Sequence, residues 1–291
     1  MPVSHVLLAM VANLAWGFNF IAGKFGVEHF PAILFTSMRF GLMAVLLVPF
    51  MKRVRTREQF GKIVQIALLM GVLHFACMFS GLGRAADISS VAILSQLYVP
   101  FATILAIVLL KETVGWRRAS AIGAAFLGVL VIGFDPTAFR HPDAVVLVAA
   151  GALFMAINNI VARTLSGVDV FTLQAWMGLI AAPTLFAGSM ILEDGQWEAL
   201  ASAGALEWSS VAYSAIVTSI IGHGCIYFLL QRHPVSVVAP YMLLTPILAV
   251  IFGVLIWGDV LTWKLVLGGI LTLAGVAVIT LRSARSARPA S

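Results

Sequence analysis

Ten apolar runs, divided by short segments rich in charge, Gly and Pro, fill most of this 291-residue chain. A run of about 20 residues with few or no charges matches the thickness of a bilayer's hydrocarbon core and reads as a spanning helix. The runs lie near residues 5–24, 31–50, 63–83, 89–110, 117–134, 144–163, 170–191, 209–230, 236–257 and 264–281. Together they leave no room for a soluble catalytic domain. Composition agrees, with 61% hydrophobic and 10% charged residues against roughly 25% charged in an ordinary soluble domain. Mean hydropathy is +1.04. The fold class expected is an all-α polytopic membrane protein.

The net charge of +6 does not indicate nucleic acid, because the basic residues sit in short loops between apolar runs. That is how positive charge orients a membrane protein. With the N-terminus inside, 13 of the 18 Lys and Arg residues fall on cytoplasmic segments, among them Lys52, Arg53, Arg55, Arg57, Lys62, Arg117, Arg118 and Arg288. Only Lys24, Arg84, Arg140 and Lys264 fall outside, and Arg39 lies within a span. The longest external loop, Leu192 to Trp208, carries Glu193, Asp194, Glu198 and Glu207 and no basic residue. Both termini are therefore expected in the cytoplasm, the first run being a retained span without an n-region or a cleavage site. Cys77 and Cys225 lie inside apolar runs and read as small buried hydrophobes.

The second half echoes the first. Ser90, Val91 and Pro100 match Ser236, Val237 and Pro246 at an offset of 146, and Glu112, Trp116 and Gly128 match Asp259, Trp263 and Gly275 at 147. Asn19 and Lys24 match Asn158 and Arg163 at 139, while Cys77 and Arg84 match Cys225 and Arg232 at 148. Residues 1–134 and 143–282 thus read as two five-helix repeats, joined by a Pro-rich, charged linker and followed by a short basic tail, 283–291. Five spans is an odd number, so the second copy enters the membrane from the opposite face. Inverted repeats of this kind typify secondary transporters, which bind substrate near the midplane between the halves and work by rocking. A channel would want a filter or a constriction ring, and none is visible.

Polar groups that interrupt spans are the site candidates, since they are costly in hydrocarbon. No Asp or Glu sits mid-span, which leaves His74 and His223 as the mid-span groups that titrate near neutrality. Each is open to a cavity or proton-coupling role or to a hydrogen-bonded packing role. Met78 shares a helical face with His74, and Tyr227 shares one with His223. Asn19 and Asn158, with Asn159 beside the latter, offer amide donors and acceptors to an amino or carboxyl group, or act as interhelical glue. Pro100 and Pro246 free the carbonyls of Gln96 and Met242 and kink their helices, as hinges or as packing bends. Gln96, Tyr241 and Thr245 could line a cavity nearby. Arg39 is assigned a structural or gating role ahead of substrate contact. Lys24 and Arg163 are expected to anchor at the interface, and Glu112 and Asp259 to cap or pair locally. The fifth and tenth spans, rich in small residues, read as scaffold or as a dimer face.

Enzyme signatures such as GxSxG, HExxH and the P-loop are absent, so no catalytic, metal or cofactor role is expected. A membrane-embedded transferase would need clustered carboxylates or histidines near a loop, which the acidic external loop does not supply.

The stretch WGFNFIAGKFGVEHFPAILFTSMRF at 16–40 resembles the opening signature of EamA-type members of the drug/metabolite transporter superfamily. IIGHGCIYFLLQRHPVSVVAPYMLLTPILAVIFG at 220–253 is similar to the matching stretch of that family's second repeat. The likeness covers essentially the whole chain, and the nearest subgroup resembles bacterial O-acetylserine/cysteine exporters. It implies a multi-pass inner-membrane exporter, monomeric or homodimeric, for a small amino-acid-like metabolite, working by alternating access with proton coupling left open. Threonine, homoserine, aromatic amino acids or amphipathic drugs are alternative cargoes. The family's cavity-lining helices map onto Asn19, His74, Met78, Gln96, Asn158, His223, Tyr227, Tyr241 and Thr245. KET at 111–113 is matched only by WGD at 257–259, a departure from the family pattern.

Overall fold

The computed structural model describes residues 1–111, 115–133, 142–233 and 235–286. Glu112, Arg140, Arg288 and residues 135–141 of the linker lie outside them. The described residues contain no strand, because a chain in hydrocarbon must satisfy its own backbone and an isolated segment can do so only as a helix. Among the described residues ten helices are long and apolar enough to span: α1 (Val3–His29), α2 (Ala32–Phe50), α3 (Arg57–Arg84), α4 (Ile88–Leu109), α5 (Trp116–Gly133), α6 (Pro142–Ala162), α7 (Val170–Leu192), α8 (Ala205–Arg232), α9 (Pro240–Trp257) and α10 (Trp263–Arg282). A short helix, Gln196–Ser202, lies between α7 and α8.

Two helices start four or more residues earlier than their apolar runs. α3 begins at Arg57 because Thr56 and Gln59 form a capping box: the Thr56 hydroxyl accepts the Gln59 N–H at 3.1 Å and Gln59 Oε1 accepts the Thr56 N–H at 3.3 Å. α8 begins at Ala205, where the Gly204 N–H donates to Glu207 at 2.8 Å.

The helices are not uniform rods. α3 widens into a π-helical stretch over Ala67–His74 and α8 does the same over Tyr213–Gly222. His74 closes the first stretch and His223 directly follows the second. Such bulges cluster at functional positions because they shift side chains and backbone acceptors out of regular register. α4 breaks at Gln96 and Leu97, and the Gln96 carbonyl, which Pro100 cannot bond, accepts the Val99 N–H at 3.0 Å in a tighter turn. This corrects the expectation that the Gln96 carbonyl stands free. α9 breaks at Leu243, before Pro246.

Helices of one half pack mainly on helices of the other. α1 lies against α8 and α9, α6 lies against α3 and α4, α2 pairs with α7 and α5 with α10. The α5–α10 pair is backbone to backbone: a Cβ on Gly268 would come within 2.5 Å of the Gly128 carbonyl, and one on Gly275 equally close to the Ala121 carbonyl. The small-residue faces that read as scaffold or dimer face are therefore consumed inside the chain. Cys77 and Cys225 are both free and half-buried.

At the membrane face opposite the chain termini, charged groups of one element close the helix ends of another. Lys24 is not an interfacial anchor. It is 5% exposed and donates to the carbonyls of Leu82, Gly83 and Ala85, because the last turn of α3 has acceptors with no intrahelical donor and an ammonium has three N–H groups to give. Glu193 accepts the N–H groups of Ile33 and Leu34 at the start of α2. Asp259 accepts those of Ile88 and Ser89 at 3.1 and 2.8 Å and the Ser89 hydroxyl at 2.6 Å, capping α4 across the two halves rather than locally. Arg163 is exposed, as an interfacial residue should be. Replacing Asp259 with Ala should lower stability by about 1–2 kcal/mol, the usual cost of a lost cap, read as a depressed thermal midpoint in detergent, with Asp259→Asn closer to the parent.

Candidate functional site

Mid-bundle, the sequence of α8 places Ser214 and Thr218 one helical turn apart, with Ser219 next in line. These hydroxyls form a polar ladder against α1 and α2. Ser214 and Thr218 both donate to Asn19 Oδ1, at 2.8 and 3.0 Å. Trp16 Nε1 donates to the Thr218 carbonyl at 3.1 Å, and its ring meets that of His223 edge-on with centroids 5.2 Å apart. His223 Nδ1 donates back into its own helix, to the Ser219 carbonyl at 3.1 Å and more weakly to Thr218 at 3.3 Å. Ser219 Oγ donates to the Ser214 carbonyl at 2.9 Å, so its lone pairs are left to accept.

What they accept is Arg39. The guanidinium donates to Ser219 Oγ through Nε at 3.2 Å and Nη2 at 3.0 Å. It is 1% exposed, so it neither snorkels nor reaches a helix-end carbonyl. Its apolar surroundings are aromatic: the charge lies 4.3 Å from the Phe75 ring centroid and 5.7 Å from those of Phe40 and Phe79. A desolvated cation–π contact contributes up to about 2 kcal/mol, well short of the several kcal/mol that taking an ion out of water costs.

The other expected site residues lie elsewhere in the bundle. His74 is buried and its Nδ1 donates to the Gly151 carbonyl of α6 at 2.8 Å, with Met78 packed in the same α3–α6 contact. Thr245 of α9 donates to Asn13 Oδ1 at 2.7 Å, and Asn13 in turn holds the Ala9 carbonyl, so this pair ties α9 to α1. Tyr241 belongs to a separate apolar cluster with Ala9, Leu229 and Val238 toward the termini. Asn158, on α6, is 7% exposed and its Oδ1 has no partner among the described residues. Gln96 is buried at the α4 break, while Asn159 and Tyr227 are half-buried. Pro100 and Pro246 are buried just beyond their helix breaks.

Asn13, Trp16, Ser214, Thr218 and Ser219 did not stand out from the sequence. The hydroxyl residues of α8 at i, i+4 and i+5, inside an otherwise apolar span, were the available signal.

Comparison with known proteins assigns this bundle. The family model described as the EamA-like transporter family matches residues 3–134 and 143–281. The chain belongs to the EamA-like transporter family. It is 27% identical to a protein of Salmonella typhimurium named "Probable amino-acid metabolite efflux pump" over 97% of each chain. It is 26% identical to one of the same name in Escherichia coli, over 94% of this chain and 93% of that one. An "Uncharacterized transporter YoaV" of Bacillus subtilis is 24% identical over 96% and 98% of the two chains. A solved structure matches with a TM-score of 0.65 at 17% identity, covering 99% of this chain and all of the other, and shares the fold. A multi-pass membrane protein of a transporter family, rather than an enzyme, is what these matches describe.

The matched asparagines should respond differently to mutation. Asn19→Ala removes the acceptor for two interhelical hydroxyls and should cost about 1 kcal/mol of stability. Asn158→Leu removes a buried acceptor that has no protein donor and should be neutral or slightly stabilising. Thermal unfolding of the two variants in one detergent compares them directly.

Proposed function

We propose that this protein is a secondary carrier that exports a small amino-acid-like metabolite, of the O-acetylserine or cysteine kind, across the bacterial inner membrane. Both termini are assigned to the cytoplasm by the distribution of Lys and Arg. The observation that carries the reading is the concentration of polar groups at mid-depth on the seam between the halves: Asn19 and Arg39 from the first, Ser214, Thr218, Ser219 and His223 from the second. A seam of this kind is where alternating-access carriers bind substrate. The names of the Salmonella and Escherichia relatives support the direction and the chemical class.

In this mechanism residues 1–134 and 143–282 are inverted repeats that rock about the seam, consistent with the cross-packing of α1 on α8 and α9 and of α6 on α3 and α4. The amide of Asn19, whose Oδ1 is occupied, presents its Nδ2 donors. Asn158 presents the unpartnered Oδ1, suited to a substrate ammonium. Gln96, Asn159, Tyr227, Tyr241 and Thr245 complete the proposed lining, with Met78 beside His74. The breaks before Pro100 and Pro246 serve as gating bends, and His74 and His223 are the groups to which proton coupling is assigned.

Proteoliposomes loaded with labelled cysteine or O-acetylserine should show saturable flux, competed by a narrow set of amino acids, and accelerated by an imposed pH gradient. Loss of the gradient effect in His74→Gln and His223→Gln, with flux retained, would tie coupling to the imidazoles. Flux that is competed instead by threonine, homoserine, aromatic amino acids or amphipathic drugs would reassign the cargo. Unaltered substrate affinity in both Asn19→Ala and Asn158→Ala would remove the asparagines from the site.

A further inference from the structure

Buried charge elsewhere in the described residues is matched. Lys24 is held by three carbonyls and by Glu28 at 3.8 Å, and Asp259 by three donor groups. Arg39 differs. Its hydrogen-bond partner is a single neutral hydroxyl, no carboxylate pairs with it among the described residues, and Nη1 is buried with no partner. A guanidinium carries five N–H donors in a planar fork suited to the two oxygens of a carboxylate. Here Ser219 engages two nitrogens, and the remaining edge is unfilled. The phenylalanine rings hold the ion in place but bring no negative charge. An intramembrane ion this incompletely compensated is costly to keep unless something completes it.

We propose that the missing anion is the carboxylate of the transported metabolite, received by Nη1 of Arg39 in a charge-assisted hydrogen bond. The proposal rests on the carrier reading and narrows it: cargo must carry a free carboxylate, and amines or drugs without one are excluded. Position makes the consequence mechanical, because Arg39 stands on α2 of the first half and its hydroxyl partner on α8 of the second. A bound carboxylate neutralises a buried cation whose hydrogen bond joins the two halves. An empty carrier must rock with that cation bare, so exchange of one carboxylate for another should outrun net efflux.

The experiment compares L-cysteine with L-cysteine methyl ester, and L-serine with L-serinamide, as competitors of labelled cysteine flux in proteoliposomes. The same four compounds are tested as stabilisers in thermal unfolding of the full chain in detergent. The parent protein should prefer each acid over its neutralised analogue by about tenfold or more, because the ester or amide keeps a carbonyl acceptor but loses the charge that strengthens a bond from the guanidinium. Arg39→Met keeps the apolar stem and should fold with an unchanged or higher thermal midpoint, since it removes an ion rather than a pair, while its preference for the acids falls below about twofold. Arg39→Lys keeps a charge without the planar fork and should fall in between. Preference for the acids that survives in Arg39→Met, or is absent from the parent, overturns the proposal. Should Arg39→Met not fold, the Arg39→Lys preference decides, and a value equal to the parent's overturns it. If no amino acid is transported, the carrier reading fails on flux alone; the thermal arm, repeated with lactate and succinate against their amides, then judges the carboxylate site separately, stabilisation by the acids supporting it and its absence overturning it.

Discussion

Hydrocarbon offers no hydrogen bonds, and that single condition organises the molecule. Each backbone and side-chain polar group must find its partner within the protein. At the helix ends the solution is long-range: Lys24 of α1 closes α3, Glu193 closes α2 and Asp259 closes α4, two of these joining residues of opposite halves. These contacts hold together the face opposite the termini.

At mid-depth the same condition is met with hydroxyls instead of charges. Ser214, Thr218 and Ser219 lie in the π-helical stretch of α8, where the wider turn takes side chains and carbonyls out of regular register. Asn19, Trp16, His223 and Arg39 all bond to this one stretch or to its carbonyls. The contacts are neutral or singly charged and individually weak, worth about 0.6 kcal/mol on average for interhelical hydrogen bonds in membranes. A seam held by weak bonds can exchange partners. The α5–α10 pair, locked by backbone contact at Gly128 and Gly268, has no such freedom and suits a fixed scaffold.

The ten spans were legible because hydropathy depends only on local composition. Helix starts were legible in principle: Thr56 and Gln59 have the capping-box spacing, but the polar turn that follows, Arg57–Lys62, reads as a loop when only apolarity is weighed. Lys24 could not be read, because its acceptors lie about sixty residues away in sequence. The π-helical stretches that end at His74 and just before His223 have no composition of their own to announce them. Repeat matching drew attention to Asn19 and Asn158 as equivalents, yet it hid their difference. Asn19 Oδ1 accepts two hydroxyls of α8, whereas Asn158 Oδ1 has no partner among the described residues.

In the proposed carrier, that difference would let two halves of similar sequence pattern offer different chemistry. Two copies with identical side chains would offer a substrate the same groups from both sides, a poor match for a molecule with one ammonium and one carboxylate. Here the first repeat carries Arg39 mid-span in α2, whereas α7 has no basic residue anywhere along Val170–Leu192. The unpaired donor edge at Arg39 and the unpaired acceptor at Asn158 are of opposite kind and sit on different repeats. In the proposed carrier, a bound carboxylate would answer the Arg39 charge before the halves rock, in a membrane where an unanswered charge is costly.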